Sequence, residues 1–181
     1  VSEEVVVGSN YITLDGNSHT IDIGATSYGD VCSGGDWTDG ISLDTKTNVV
    51  IKNFIIKNSC YGIFFTNSYS SSILDNTLSK NYYAGISGNG VNLNISGNTI
   101  TGELVDSAEH GIIITSNGDG LVENNNISNV KRGIHSDGEN KAVIKNNIID
   151  SITGYGIHAF AKFNDIESNT VTNSDVGIYV A

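Results

Sequence analysis

The chain has 181 residues and a formal net charge of −11, from 9 Lys and Arg against 20 Asp and Glu. This acidic balance repels nucleic-acid phosphates and anionic membrane surfaces, so we expect neither as a partner. Membrane insertion is not expected either, because no apolar run approaches the roughly 20 residues that a membrane-spanning helix needs. Asn and Gly, both weak helix formers, make up about a quarter of the residues, which favours β structure.

The first 39 residues combine short apolar stretches with a long loop at 24–39. This loop contains the only Trp of the chain, Trp37, together with Asp30, Asp36 and Asp39. A Trp beside carboxylates can stack on a sugar ring, which makes Trp37 a candidate for carbohydrate binding. The alternative, that Trp37 only covers the side of the fold, is left open by the sequence.

From residue 40 onward the dipeptide Gly-Ile recurs at a nearly constant period. The spacings between successive glycines are 22, 23, 26, 22, 23 and 21 residues. A second pattern, apolar-x-x-Asn-x-apolar, follows each of the first six of these glycines, and its Asn lies 13 or 14 residues after the Gly. The isoleucines are Ile41, Ile63, Ile86, Ile112, Ile134, Ile157 and Ile178, and the asparagines are Asn53, Asn76, Asn98, Asn125, Asn146 and Asn169.

This repeat predicts a parallel β-helix. The alternating and β-branched apolar residues of each unit suit three short strands, and equivalent strands of successive units then stack in parallel sheets. We predict about eight rungs of ~22 residues with helix content near zero, an inward column of the repeated Ile, and a hydrogen-bonded ladder of the repeated Asn. The alternative for this period, a leucine-rich repeat, lacks its dense Leu pattern here. The whole chain, 1–181, is predicted to be one domain, with N-terminal rungs in 1–39 and regular rungs in 40–181.

The 26-residue unit contains a second irregular segment at 103–110. Asp106, Glu109 and His110 are the types of residue that make a small cation or acid–base site. A solvated loop is the plainer interpretation of the same residues.

Two histidines occupy the same position in neighbouring units, two residues after their Gly. Strand alternation places His135 and His158 on the outer surface, and Asp137 shares the face of His135. Two imidazoles one rung apart beside a carboxylate can bind a divalent metal or transfer protons, so these three residues are weak catalytic candidates. The other residues at this position are mixed, which is more typical of a variable surface.

Two tyrosines and the two cysteines of the chain are further candidates for a binding site and a disulfide. Tyr82 and Tyr83 are, with Trp37, candidates for carbohydrate binding. Cys32 and Cys60 lie in loops of adjacent rungs, so a disulfide between them is geometrically reasonable, with free or intermolecular thiols as the alternative. A disulfide on an acidic, Lys-poor chain suits an exported protein, and we therefore expect an extracellular or cell-surface location.

These repeats resemble the right-handed parallel β-helix repeat family, the pectate-lyase-like superfamily, over about residues 5–181. The segment 10–21 resembles the first rungs of NosD-type proteins. The resemblance implies the fold, but it spans polysaccharide lyases, hydrolases, epimerases, phage tailspikes, and archaeal or bacterial surface-layer and sheath proteins. Lyases of the superfamily use Asp clusters that hold Ca²⁺, with a Lys or Arg base.

No such cluster is evident in this sequence. The Asp-Pro-His motif of the epimerases is ruled out because the chain has no Pro. We therefore expect no lyase or hydrolase activity on acidic polysaccharides. No cofactor is expected, and Ca²⁺ at the Asp-Gly and Asn-Gly turns stays open but unsupported.

Three functions are compatible with these features. The leading one is a non-catalytic structural module of a surface layer, sheath or filament that self-associates end to end through unpaired strand edges. The first alternative is a carbohydrate-binding or carbohydrate-processing β-helix. The second is a NosD-like periplasmic accessory protein of copper enzymes, for which His135 and His158 are the only support.

Overall fold

The computed structural model describes residues 3–33, 37–103, 110–115, 119–138, 141–160 and 165–181. One short helix, α1 (Tyr28–Val31), lies in the N-terminal loop, and every other element is a strand. In chain order the strands are β1 (Val5–Val7), β2 (Thr13–Asp15), β3 (Thr20–Asp22), β4 (Ile41–Asp44), β5 (Val50–Lys52), β6 (Ile55–Lys57), β7 (Tyr61–Tyr69), β8 (Ser72–Leu74), β9 (Thr77–Ser79), β10 (Ala84–Val91), β11 (Leu93–Ser96), β12 (Thr99–Thr101), β13 (His110–Thr115), β14 (Gly120–Glu123), β15 (Asn126–Ser128), β16 (Arg132–Asp137), β17 (Ala142–Lys145), β18 (Ile148–Ala159), β19 (Asp165–Glu167) and β20 (Thr170–Val180).

The strands stack into three parallel ladders, which confirms the predicted parallel β-helix. Sheet 1 runs β1-β4-β7-β10-β13-β16-β18-β20 and contains the Gly-Ile dipeptides. Sheet 2 runs β2-β5-β8-β11-β14-β17-β19, and sheet 3 runs β3-β6-β9-β12-β15-β18-β20. The long strands β18 and β20 take part in both sheet 1 and sheet 3. The described residues make six turns from the first to the last of the seven strands of sheet 2, so the prediction of eight rungs is too high.

The repeated Ile of sheet 1 form the predicted inward column. Six of the seven are fully buried, whereas Ile178 on β20 is 49 % exposed because no described strand follows β20 in sheet 1. The preceding Gly is needed because sheet 3 packs directly on it. A Cβ on Gly62 would lie 2.5 Å from Cδ2 of Leu78 and 2.6 Å from the carbonyl oxygen of Gly85. Repetition of Gly-Ile therefore reflects close packing between two sheets.

Asparagines fill two different roles at the corner between sheets 2 and 3. A buried ladder forms because the side-chain Oδ1 of each Asn accepts a hydrogen bond from the backbone N–H of the ladder Asn one rung earlier. Its members are Asn76, Asn98, Asn125, Asn147 and Asn169. The residue just before each of these five has a positive φ, and so does Asn53 at the equivalent point of the preceding rung. This second column comprises Asn53, Asp75, Gly97, Asn124, Asn146 and Ser168.

The predicted ladder is wrong at two of its six positions. Asn53 and Asn146 belong to the left-handed corner, where Asn tolerates a positive φ better than most residues. Asn147 takes the ladder position in its own rung. In the earlier rung Phe54 stands there and donates its backbone N–H to Oδ1 of Asn76.

The N-terminal loop is held against the β-helix by the Cys32–Cys60 disulfide, which confirms the predicted pairing. A small second core surrounds it, formed by Val31, Cys32, Cys60, Tyr61, Tyr82 and Ala84. Among the described residues, no helix has the length and apolar character needed to cross a membrane.

Candidate functional site

The outer face of sheet 1 carries an unbroken series of aromatic and imidazole rings. Two outward positions in each rung supply most of them, the residue before the Gly and the second residue after it. The first column aligns Tyr61, Ala84, His110 and Arg132, and the second aligns Phe64, Ser87, Ile113, His135, His158 and Tyr179. Parallel in-register pairing places equivalent side chains one above another.

Ring contacts connect these columns from one end of the face to the other. Trp37 stacks on Tyr61 at 5.4 Å between ring centroids, and Tyr61 contacts Tyr83 at 5.0 Å. The series continues from Tyr83 to His110 at 6.0 Å and from His110 to His135 at 5.8 Å. Such separations are typical of favourable pairs of rings.

The C-terminal part of the series is the densest. His158 lies 5.1 Å from His135 and contacts three other rings, at 4.4 Å for Tyr155, 4.2 Å for Phe160 and 5.3 Å for Tyr179. We call the whole set the aromatic band; its ten members are Trp37, Tyr61, Phe64, Tyr83, His110, His135, Tyr155, His158, Phe160 and Tyr179.

The band is long and is most open at its two ends. Trp37 is 44 % exposed, and Phe160 and Tyr179 at the other end are each 42 % exposed. Five strand steps separate Tyr61 from Tyr179, which corresponds to about 24 Å because neighbouring strands lie about 4.8 Å apart. The surface is therefore an elongated platform rather than a pocket.

The three histidines of the band are held in their neutral form. Burial lowers the pKa of His110 to about 3, and the nearby charges of Arg132 and Lys131 act in the same direction. Burial also lowers the pKa of His135 and of His158, against a smaller opposing effect of Asp137. The Nδ1 atom of each ring is buried and has no hydrogen-bond partner among the described residues.

A buried carboxyl group lies beside the N-terminal end of the band. Oδ1 of Asp39 accepts a hydrogen bond of 3.3 Å from the backbone N–H of Tyr61. Burial raises the pKa of Asp39 to about 7, and the neighbouring Glu4 carboxylate adds to the rise. Burial likewise raises the pKa of the Tyr61 hydroxyl. Asp39 is thus the acid of this face whose charge changes near neutral pH.

The structure brings two of the three weak catalytic candidates together. His135 and His158 are in contact on adjacent strands, whereas Asp137 is exposed further along β16. Within the described residues no hydrogen bond joins Asp137 to either imidazole. A general base and its partner need such a contact, at about 2.6–3.2 Å or through one water.

The remaining predicted site residues fall in different places. Trp37 and Tyr83 belong to the aromatic band, and so does His110. Tyr82 does not belong to the band. It is only 8 % exposed, and its hydroxyl donates a hydrogen bond to the carbonyl oxygen of Ala25 at 3.2 Å. It therefore lacks the open ring face that its predicted carbohydrate-binding role requires. Asp106 and Glu109 lie outside the described residues. In the part of the chain that the structure describes, no three His, Cys, Asp or Glu side chains are grouped to hold a metal.

Sequence reasoning missed half of the band. Tyr61, Phe64, Tyr155, Phe160 and Tyr179 were not among the predicted site residues. All except Phe160 occupy the position before the Gly or the second position after it. Comparing these two outward positions across all rungs would have found them, because aromatic residues and His recur there although no single residue type does.

Comparison with known proteins identifies the fold family. Residues 35–181 match the family model described as "Right handed beta helix region". No curated protein matches the chain.

Proposed function

We infer a function from the premise that the chain belongs to the right-handed β-helix family: it is an exported protein that binds an extended polysaccharide along the aromatic band. The observation that carries this proposal is the continuity of ten rings along one outer face. These ten rings are in contact with one another and follow the axis of the β-helix.

The chemistry of the band suits a sugar polymer. One face of a pyranose ring consists of C–H groups, which pack against the flat face of an aromatic side chain. Binding sites combine such apolar area with a few polar groups that fix orientation. Trp37 offers ring area at one end, Phe160 and Tyr179 offer it at the other, and histidines supply polar edges between them. The length of the platform favours a chain of sugars over a single unit.

Export is supported by the disulfide. Cys32–Cys60 is buried beside the N-terminal end of the band, and bonds of this kind persist in oxidising compartments. The disulfide also fixes the loop that carries Trp37 near Tyr61. We therefore propose an extracellular or cell-surface location, where polysaccharides are abundant.

We propose binding rather than cleavage. The imidazoles of the band are neutral and meet one another in edge or tilted contacts. The exposed carboxylate on the strand of His135, Asp137, makes no hydrogen bond to them within the described residues. This arrangement can hold a polymer, but it does not pair an acid with a base across a reacting atom.

Trp37 provides a direct test, because it is the only Trp and sits in the proposed site. We expect its fluorescence to change on titration with a panel of soluble polysaccharides comprising an uncharged glucan, an uncharged mannan, chitosan oligomers and polygalacturonate. In affinity electrophoresis, Trp37→Ala should weaken binding at least about tenfold, as loss of an aromatic anchor does. Tyr11→Ala and Tyr69→Ala are matched controls, since both rings are exposed and lie outside the band. Equal retardation of Trp37→Ala and wild type, or no binding to any member of the panel, would contradict the proposal.

A structural module that assembles end to end is a second candidate function. In the described residues β20 pairs only with β18, which leaves one strand edge and the side chain of Ile178 uncovered. A second copy of the chain would extend the Ile column by strand addition, as in a sheath, surface layer or filament. A further rung of the same polypeptide would cover the edge equally well.

Light scattering tests whether a second copy of the chain covers this edge. If copies associate, the apparent mass should rise with concentration, and Ile178→Lys should keep the protein monomeric by placing a charge in the contact. A mass that stays monomeric over the whole concentration range would exclude end-to-end association.

A further inference from the structure

Three histidines in the middle of the aromatic band have an unusual environment. His110, His135 and His158 lie on three consecutive strands of sheet 1, with ring centroids 5.8 and 5.1 Å apart. In each ring Nδ1 is buried and finds no hydrogen-bond partner in the part of the chain that the structure describes. Buried polar atoms are normally paired, so three unpaired nitrogens on consecutive strands require an explanation.

The burial pattern identifies the tautomer. A buried N–H without an acceptor is rarer in proteins than a buried acceptor that lacks a donor. We therefore assign the proton of each neutral ring to Nε2, which leaves Nδ1 as the buried, unprotonated nitrogen. Nε2 is then the ring atom that can meet solvent or a ligand, and it acts as a hydrogen-bond donor.

Burial and the charges around the histidines lower their pKa and keep them neutral near pH 7. Arg132, the first residue of β16, and Lys131 before it disfavour a further positive charge, whereas Asp137 favours it only weakly. Within the described residues, the other titratable side chains in ring contact with these imidazoles are Tyr83, Tyr155 and Tyr179. A neutral N–H donor suits a hydroxyl or ether oxygen and has no net charge with which to attract a carboxylate.

We propose that His110, His135 and His158 donate hydrogen bonds through Nε2 to the oxygens of an uncharged polysaccharide lying along the aromatic band. This inference rests on the proposed function and narrows it to one ligand class. The net charge of −11 acts in the same direction, because it disfavours the approach of a polyanionic chain. Aromatic residues at the ends of the band would stack on the polymer, and the histidines between them would select its substituents.

The ligand class is tested with three polymers matched in length, an uncharged glucan, polygalacturonate and chitosan, at about pH 7 and low salt. Binding is followed by the fluorescence of Trp37. We expect the glucan to bind at least about tenfold more tightly than polygalacturonate. Tighter binding of polygalacturonate or of chitosan would overturn the inference while leaving polysaccharide binding intact.

The histidines are tested by removing their nitrogens but keeping their rings. We expect His135→Phe and His158→Phe each to weaken binding of the glucan by about three- to tenfold, the value of one hydrogen bond. His19→Phe is the matched control, because His19 lies outside the band and bonds the carbonyl oxygen of Gly16. Should a Phe variant fail to fold, His135→Gln retains a donor and should keep more affinity than His135→Ala.

A pH profile distinguishes neutral donors from charged ones. Asp39 titrates near neutral pH beside Tyr61, so the profile is measured in the Asp39→Asn background. There we expect affinity for the glucan to vary by less than about twofold between pH 6 and 8. Affinity that rises steeply toward pH 6 would mean that imidazolium ions make the contact, and it would overturn the inference.

The two levels of the proposal fail in different ways. Loss of binding in Trp37→Ala together with unchanged binding in both His→Phe variants would overturn the role of the histidines alone. Absence of binding to every polymer would overturn polysaccharide binding and, with it, the role of the histidines.

Discussion

The inner and outer faces of sheet 1 are built from the same strands but follow opposite rules. Ile112 points inward, and every equivalent residue in the seven Gly-Ile units is Ile. Ile113 is its neighbour and points outward, where its equivalents are Ser42, Phe64, Ser87, His135, His158 and Tyr179. Inside, a side chain must fit the copies above and below it, so the same residue repeats. Outside, solvent removes that constraint, so the recurrence of aromatic residues and His on the outer face is not explained by packing of the core.

The corner between sheets 2 and 3 shows the same contrast within one residue type. Asn98 is fully buried and uses both its oxygen and its nitrogen in the ladder, whereas Asn53 is half-buried and needed mainly for its positive φ. Their side chains are identical, but their partners are not. The position of each Asn relative to the core therefore determines how much its substitution lowers the free energy of unfolding.

The largest contrast is expected between neighbouring Ile residues. Ile112→Asp buries an unpaired charge in the core and should destabilise the protein by more than about 5 kcal/mol, enough to unfold it. Ile113→Asp places the same charge at the surface and should cost only about 1 kcal/mol. Urea denaturation followed by circular dichroism measures both. Similar losses for the two variants would mean that inner and outer positions are not as different as proposed.

The asparagine pair should show a smaller difference. Asn98→Ala leaves the buried backbone N–H of Asn76 without its acceptor and removes the buried hydrogen bond to the carbonyl oxygen of Ile73, and at about 1–3 kcal/mol for each buried group the total loss is about 2–4 kcal/mol. Asn53→Gly keeps the positive φ accessible and loses one exposed hydrogen bond to Asp15, so it should cost less than about 1 kcal/mol. Thermal unfolding of the two variants side by side provides the comparison, and a costlier Asn53→Gly would contradict the assigned roles.

Asp39 offers a pH-dependent test of the outer face. Its folded pKa of about 7 is raised above the unfolded value of 3.8, so the proton it binds stabilises the fold at acidic pH. That stabilisation is present below the unfolded pKa and is lost as pH rises through about 7. Asp39→Asn mimics the protonated group, because its Oδ1 can still accept from Tyr61. It should be nearly neutral at about pH 4 and should stabilise the protein by about 3–4 kcal/mol at about pH 8.

Denaturation curves of wild type and Asp39→Asn at the two pH values measure this change. A difference between the proteins that does not vary with pH would show that the fold does not raise the pKa of the Asp39 carboxyl, which would contradict its assignment as a buried acid.

The fold was predictable because its core obeys a strict period. The dipeptide Gly62-Ile63 has an equivalent in every unit. Only Gly allows sheet 3 to pack so closely, and side chains of equal size stack well on one another in the core. The disulfide followed from the same period, which places Cys32 and Cys60 on adjacent rungs. The asparagine ladder was predictable only in part, because Asn at the corner and Asn in the ladder are adjacent in sequence and satisfy the same pattern.

The aromatic band was not predictable as a unit. Its members are Trp, Tyr, Phe and His, so no residue type repeats, and Trp37 reaches the band from a loop rather than from a strand. Tyr82 and Tyr83 are neighbours in sequence, yet one is buried under the N-terminal loop and the other joins the band. Which of two adjacent rings faces outward depends on the packing of that loop.

The central claim is that the outer face of sheet 1 is the ligand-binding surface, and solution NMR tests it most directly. An isotope-labelled sample is titrated with an uncharged glucan oligomer, and the shifts of backbone and ring signals are mapped onto the structure. We expect shifts at Trp37, at the three histidines and at Phe160 or Tyr179, with Tyr69 and the residues of sheet 2 unchanged. Shifts confined to sheet 2 or sheet 3, or spectra that do not change at saturating oligomer, would contradict the account.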